Sequence, residues 1–130
     1  MIPLDLSRLE ELAAQAGDFS IVVELSQIFL EDIANRLTTI RRAVLDANLL
    51  EVQRTAHTIK GAAGNFGARP LAAHAAALEL SDELGPTVEE RFRLVREEFD
   101  RVRAALESKL LAEPAYGARR SEPSTANAVS

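Results

Sequence analysis

The residues from 22 to 44 read VVELSQIFLEDIANRLTTIRRAV. Apolar side chains recur among them at steps of three and four, at Val22, Leu25, Phe29, Ile33, Leu37, Ile40 and Val44. That spacing places them on one face of an α-helix, and neither glycine nor proline interrupts the pattern. The stretch predicts a long amphipathic helix, which needs the apolar faces of other helices to pack against.

The sequence predicts one helix before this one and another after it. Ser7 begins a short helical segment with Glu10 placed as in a capping box, and Gly17 is where that helix would stop. Asn48 is the predicted N-cap of the third helix, which is expected to end near Gly64. The buried face of the third helix is predicted to contain Leu49, Val52, Ala56, Ile59 and Ala63.

Two more helices are predicted in the second half of the chain. Residues 64–70 read as a turn, and Pro70 suits the first turn of a fourth helix that is expected to run to Leu84. Thr87 begins a second predicted capping box, and the last helix should reach about Ala112. Its apolar seam comprises Val88, Phe92, Val95, Phe99, Val102 and Leu106.

Composition and loop length together predict the fold class. The chain has 130 residues, of which 47% are hydrophobic and only 5% aromatic, and this balance favours helices. Short loops between long amphipathic helices favour an all-α, antiparallel up-down-up-down four-helix bundle, here with a short extra N-terminal helix. We expect this domain to occupy residues 1–112, and residues 113–130 to form a disordered tail because they lack apolar periodicity.

Charge and residue usage exclude several classes of function. The net charge is -5 and the basic residues form no block, which argues against a nucleic-acid partner. The absence of cysteine excludes disulfides and zinc-thiolate sites, and no HExxH spacing is present, so no intrinsic metal is predicted. No apolar stretch approaches the ~20 residues of a membrane span, and the start is unlike a secretory signal. A cytoplasmic location is expected.

The chain has two histidines, and His57 is the stronger candidate for chemistry. On a helical wheel it lies roughly 120° from the centre of the buried stripe, so it should face water. Its nearest neighbours on that surface are two cations and two residues without side chains: Arg54, Lys60, Gly61 and Gly64. Such a surround suits a phosphorylated imidazole. On spacing alone the alternative remains that His57 is an ordinary exposed histidine and that Gly61 serves helix packing.

The run AHTIKGAAGNFGA, residues 56–68, resembles the signature of histidine phosphotransfer domains. That signature has a histidine, then lysine and glycine at the third and fourth positions after it, then asparagine and glycine that close the helix. The preceding helix contains Phe29-Leu30-Glu31-Asp32, and Leu78-Glu79 follows in the next helix at the family's usual place. The resemblance covers about residues 5–110.

The resemblance implies roles for particular residues. His57 would accept the phosphoryl group on Nε2, with Lys60 assisting. The surround of the phosphoryl group and the docking surface would include Arg54, Gly61, Gly64 and Glu79, where Glu79 could orient the ring or be a solvated glutamate. Asn65 and Gly67 would form the turn that closes the helix.

The resemblance also implies partners. Response-regulator receiver domains, a hybrid sensor histidine kinase, or both would dock on a monomeric carrier that has no autonomous active site. No intrinsic cofactor is implied, and Mg²⁺ is expected on the receiver. Such a protein would relay a phosphoryl group between receiver aspartates in a two-component phosphorelay.

Two other functions stay open from the sequence. Ile59 and Phe66 also suit the phosphoacceptor domain of a chemotaxis-type histidine kinase. The seam of the last helix has spacing that would suit a non-catalytic dimerisation module.

His74, at the edge of an apolar face, is predicted to be partly buried and hydrogen-bonded.

Overall fold

The computed structural model describes residues 2–112, which contain five α-helices. These are Ser7–Ala16 (α1), Ser20–Leu45 (α2), Leu49–Phe66 (α3), Arg69–Glu79 (α4) and Pro86–Ala112 (α5). Helix α2 packs against α3, α3 against α4, α4 against α5 and α5 against α2, while α1 packs against α2. The connections are short, so successive helices of the bundle reverse direction. The predicted all-α bundle with a short extra helix is confirmed, whereas the predicted tail, 113–130, lies outside the described residues.

The hydrophobic core lies between the four long helices. Side chains that are almost completely buried come from each of them, including Ile33, Ile40, Val52, Ile59, Leu71, Leu78, Phe92 and Phe99. Burial of one such side chain stabilises the fold by about 1.5–3 kcal/mol. A smaller cluster of Leu9, Val22, Val23 and Leu110 holds α1 against α2 and α5. This packed core holds the surface residues of the helices in defined positions relative to one another.

The seam of α5 is buried within the single chain. Its six predicted residues, from Val88 to Leu106, are at most 2% exposed. The outward side of α5 instead carries ion pairs along the helix, such as those of Arg93 with Glu90 and Glu97. The seam that suggested a dimerisation module is therefore not available to a second chain.

Both predicted capping boxes are wrong. Helix α1 begins at Ser7 itself, and it is Asp5 whose carboxylate accepts from the Ser7 backbone N–H at 3.0 Å and from its hydroxyl at 2.7 Å. Helix α5 begins at Pro86, so Thr87 lies inside the helix. The fixed φ of proline and its missing N–H suit the first helical position, which explains why α5 begins at Pro86, two residues before the start that a cap at Thr87 predicts. By contrast, Asn48 caps α3 as predicted, because its side chain accepts from the Glu51 N–H at 3.1 Å.

Helix α3 continues past Gly64 to Phe66, so its predicted end near Gly64 is wrong and Asn65 lies in the helix rather than in a turn. The Phe66 ring stacks on Phe29 of α2 with centroids 4.0 Å apart. This contact gives the extra residues of α3 an apolar partner. The turn begins only at Gly67, whose φ of 93° is left-handed.

The turn at Gly67 is a Schellman motif, in which backbone N–H groups beyond the helix bond its last carbonyls. Ala68 N donates to Ala63 O at 2.8 Å, and Gly67 N donates to Gly64 O at 3.2 Å. The N-terminal segment attaches to the same turn, because Asp5 N donates to Gly67 O at 2.9 Å. A Cβ at position 67 would lie 2.2 Å from the Asp5 carbonyl oxygen.

Replacing Gly67 with alanine should therefore lower the free energy of unfolding by more than about 2 kcal/mol, from left-handed strain plus the overlap with Asp5. Gly17→Ala is the matched control, because Gly17 is also left-handed, with φ 68°, but a Cβ there meets nothing within 4 Å. Gly17→Ala should lower the free energy of unfolding by only about 1 kcal/mol. Urea denaturation followed by circular dichroism measures both, and equal losses would show that the Asp5 contact contributes nothing.

Helix α4 ends at Glu79, five residues before the predicted end at Leu84. Residues 80–85 are not helical, and Gly85 and Pro86 mark the start of α5 rather than the end of α4. None of the helices within residues 2–112 has the length and apolar character needed to cross a membrane.

Candidate functional site

His57 lies in the middle of α3 on the side that faces away from the core. The buried stripe Val52, Ala56, Ile59 and Ala63 is 0% exposed, whereas the His57 side chain is 65% exposed. The prediction that His57 faces water is confirmed. Because the stripe fixes the rotation of α3 about its axis, the position of the histidine is set by core packing.

A carboxylate at the end of α4 binds the His57 ring. Glu79 Oε2 lies 2.8 Å from His57 Nδ1, and Glu79 Oε1 lies 2.8 Å from Lys60 Nζ. An ionised carboxylate only accepts hydrogen bonds, so Nδ1 carries the proton and donates it. In the neutral ring the lone pair then belongs to Nε2. The alternative that Glu79 is simply solvated is wrong, because it contacts both residues and its side chain is only 26% exposed.

The charges around Glu79 stabilise its ionised form. The hydrogen bond from Lys60 is the largest cause that lowers the pKa of Glu79 below the ordinary value of 4.5, and the hydrogen bond from His57 adds to it. Partial burial acts in the opposite direction but is outweighed. The carboxylate is therefore ionised throughout the neutral pH range.

This lowered pKa predicts how stability depends on pH. A carboxyl whose pKa is lower in the folded than in the unfolded chain stabilises the fold above the unfolded value, and the stabilisation disappears as pH falls through the folded value. The wild type should thus be more stable than Glu79→Gln at neutral pH, and the difference should shrink below about pH 4.5. Thermal denaturation of both proteins at a series of pH values measures this difference in stability. Glu83→Gln, which removes an exposed carboxylate from the next loop, is the matched control.

The two cations near His57 differ in their partners. Lys60 is bound by Glu79, as described above. Arg54 is exposed, and within residues 2–112 its guanidinium has no carboxylate partner. It lines a shallow depression beside the imidazole together with Gln53, Thr58 and Glu79. Of the two cations, Arg54 is the one whose charge has no ion-pair partner in the part of the chain that the structure describes.

The glycines after His57 leave open space. A Cβ at Gly61 or at Gly64 would meet nothing within 4 Å. The alternative that Gly61 serves close helix packing is therefore wrong. Both glycines are exposed on α3, beyond His57 in the direction of the Gly67 turn.

The remaining predictions concern His74 and metals. His74 is partly buried, as predicted, but its ring has no hydrogen bond within the described residues, so that part of the prediction is wrong. No group of three or more His, Asp or Glu side chains that could hold a metal ion occurs within residues 2–112.

Two contacts near the site were missed from the sequence. Gln53 Nε2 donates to Ser81 O at 2.8 Å, and Arg91 Nη1 donates to Ala77 O at 3.0 Å. The spacing of Gln53, four residues before His57, was a usable signal because it places both on one face of α3. No comparable signal existed for Arg91, since its contact depends on where α4 ends.

Comparison with known proteins adds a family to this geometry. The family model described as the Hpt domain matches residues 24–105, which include α3, α4 and most of α2 and α5. No curated protein and no solved structure gave a match. The matched region contains His57, Lys60, Gly61 and Glu79. The chain therefore belongs to the Hpt domain family, whose members serve histidine phosphotransfer in two-component signalling.

Proposed function

We propose that this protein carries a phosphoryl group on His57 Nε2 and relays it between aspartates of response-regulator receiver domains. The observation that carries the proposal is the pairing of His57 Nδ1 with Glu79 at 2.8 Å on a ring that is 65% exposed. This pairing leaves Nε2 as the nitrogen with a free lone pair. The ordinary solvated histidine of the alternative hypothesis has no need of such a partner.

The chemical step is an exchange of one bond to phosphorus for another. The Nε2 lone pair forms the N–P bond while the O–P bond of the receiver's aspartyl phosphate breaks, and the aspartate leaves as a carboxylate. The Nδ1 proton stays on the ring, so positive charge develops on the imidazolium, where Glu79 opposes it. The reverse step returns the phosphoryl group to another receiver and leaves His57 neutral.

The cations take different parts in this step. Arg54 has no carboxylate partner within the described chain, so it is free to approach the phosphoryl oxygens. Lys60 starts from its 2.8 Å contact with Glu79 and lies one turn from His57 on the same helix. We assign Arg54 to charge neutralisation, and Lys60 both to that role and to holding the Glu79 carboxylate.

The absence of side chains at Gly61 and Gly64 suits a carrier that reacts inside a partner's active site. Phosphoryl transfer depends mainly on positioning and charge neutralisation. We expect the receiver to supply its aspartate and Mg²⁺, and this chain to supply the nucleophile. The protein is thus a phosphoryl carrier rather than an enzyme with its own active site, as is usual in the family.

A groove between α1, α2 and α3 is the docking surface that we propose for the receiver. Its volume is about 500 Å³, and Ala62 and Asn65 line it from α3, directly after Gly61 and Gly64. Two apolar side chains are exposed in it, Leu12 at 38% and Ile28 at 58%. Because Ala62 is only about 7.5 Å along the helix axis from His57, a receiver seated there can bring its aspartate to the imidazole.

Replacing Ile28 with aspartate should weaken receiver binding by roughly tenfold or more, because it places a charge in the apolar centre of the groove. Helicity should be unchanged, since the side chain is 58% exposed. Leu45→Asp is the matched control: Leu45 is 70% exposed and lies about 25 Å away along α2. Titration calorimetry with a receiver gives both affinities, and equal losses would place the docking surface elsewhere.

The test of the relay is label transfer from a panel of phosphorylated receivers to the purified protein. Rapid labelling and return of label to a second receiver support the proposal. The chemotaxis-type alternative predicts instead that a separate kinase core with ATP labels the protein and that receivers only remove the label. Failure of every receiver to label it would overturn the relay.

A further inference from the structure

We propose that Arg91, Ser81 and Gln53 form a positioning network that fixes the end of α4 and thereby holds Glu79 against the His57 ring. The inference rests on the proposed function of His57. None of the three is placed here in contact with the phosphoryl group. Their part is to act through Glu79, so they are positioning residues.

The network begins with the Ala77 carbonyl, which does not receive a backbone hydrogen bond from Ser81 because α4 has ended. In a continuing helix the Ser81 N–H would bond to Ala77 O, but it donates to Leu78 O at 3.1 Å. Arg91 Nη1 from α5 donates instead to Ala77 O at 3.0 Å, and the same nitrogen donates to Ser81 Oγ at 3.1 Å. A cation at this place also opposes the partial negative charge of the helix C-terminus. Arg91 thus caps α4 from a different helix.

A second attachment joins the same point to the helix that carries the histidine. Gln53 Nε2 on α3 donates to Ser81 O at 2.8 Å. Gln53 and His57 are one turn apart on α3, while Ser81 and Glu79 are two residues apart at the end of α4. The two helices are therefore joined by two neighbouring contacts, Gln53 with Ser81 and His57 with Glu79.

The burial of Ser81 makes the network stronger than a surface contact. Ser81 is 3% exposed, and hydrogen bonds that are shielded from water are stronger than those in water. Glu79 is the last residue of α4, and terminal helical turns fray unless something holds them. Without the network, the last turn of α4 can open and carry the carboxylate away from Nδ1. The ring would then lose the acceptor that keeps its proton on Nδ1.

The experiment reads the position of that proton directly. Imidazole ¹⁵N shifts distinguish a protonated from an unprotonated nitrogen, and the neutral form is observed at about pH 9, above the titration range of free histidine. Wild type should show Nδ1 protonated at His57. Arg91→Met and Gln53→Met should both shift the population toward the Nε2–H form. Transfer from a receiver should fall by roughly tenfold, less than the ~100-fold that a 1 Å misplacement of a reacting group can cause.

Matched variants separate this role from a general loss of stability. Arg93→Met removes a cation from the same helix, but within residues 2–112 Arg93 pairs with Glu90 and Glu97 on α5 and with no residue of α3 or α4, so both nitrogen shifts should stay as in wild type. Arg91→Lys keeps a hydrogen-bond donor, so it should retain part of the Nδ1–H population and of the transfer rate that Arg91→Met loses. If Arg91→Met does not fold, Ser81→Ala, which removes only the Oγ contact, and Gln53→Met carry the test.

The outcomes distinguish the network from the relay itself. Variants that melt earlier but keep wild-type ¹⁵N shifts at His57 would overturn the network, because Arg91 and Gln53 would then be structural only. The nitrogen shifts need no receiver, so they test the network even if no receiver labels the wild type. Loss of labelling in wild type with normal shifts would count against the relay alone.

Discussion

Replacing His57 with glutamine should abolish labelling by phosphorylated receivers, a loss of at least ~1,000-fold that reaches the background of the assay. The amide of glutamine can still donate a hydrogen bond to Glu79, but it offers no nitrogen lone pair that can bond to phosphorus. The side chain is 65% exposed, so helicity and melting temperature should stay near the wild-type values.

The second histidine supplies the control for this result. His74→Gln should label like wild type, because His74 is partly buried on α4 and, within residues 2–112, the ion pairs of Glu79 are with His57 and Lys60 and not with His74. The label should also be lost in acid and kept in alkali, as expected of a phosphoramidate rather than of a phosphate ester. Equal labelling of wild type and His57→Gln would place the phosphoryl group on another residue.

Replacing Gly61 with leucine should change stability and transfer in opposite directions. A Cβ at position 61 meets nothing within 4 Å, and glycine within a helix is about 1 kcal/mol less favourable than alanine or leucine. The variant should therefore unfold at higher temperature. The added side chain, one turn from His57, should obstruct the partner's aspartate and lower the transfer rate by roughly 100-fold or more.

Graded substitutions make this result specific. Gly61→Ala should gain similar stability but lose less transfer, because a methyl group obstructs less of the approach. Ala104→Leu adds an exposed leucine to α5, away from the site, and should leave transfer unchanged. Calorimetric melting and label transfer are the two measurements. A stabilised Gly61→Leu variant with wild-type transfer would show that the approach to His57 does not pass over Gly61.

The expected gain in stability and loss in transfer rate together explain why α3 keeps two glycines that its own packing does not require. Gly61 and Gly64 reduce the stability of α3 in the free protein. A Cβ at either position would meet nothing within 4 Å, so packing does not require a glycine there. No compensating contact is present within residues 2–112, and the docking of a partner on His57 that we propose would supply one. In Gly67, by contrast, the left-handed φ and the Asp5 carbonyl account for the glycine within the fold itself.

The helices, their buried faces and the outward direction of His57 could be predicted from the residues alone. Apolar periodicity is a property of one helix, and it fixes which side must be buried before any partner helix is known. The caps were less predictable. Ser7 and Thr87 lie inside helices because Asp5 and Pro86, one or two residues earlier, satisfy or remove the first N–H groups.

The end of α4 and the hydrogen-bond partners of Glu79 could be seen only in the folded bundle. The end of α4 depends on Arg91 from α5 and Gln53 from α3, which reach Ala77 and Ser81 only when the bundle is assembled. Hydrogen bonds between residues far apart in sequence leave no periodic signal, so the prediction extended α4 to Leu84. The position of His57 follows from burial along one helix, whereas its hydrogen-bond partner follows from how three helices meet.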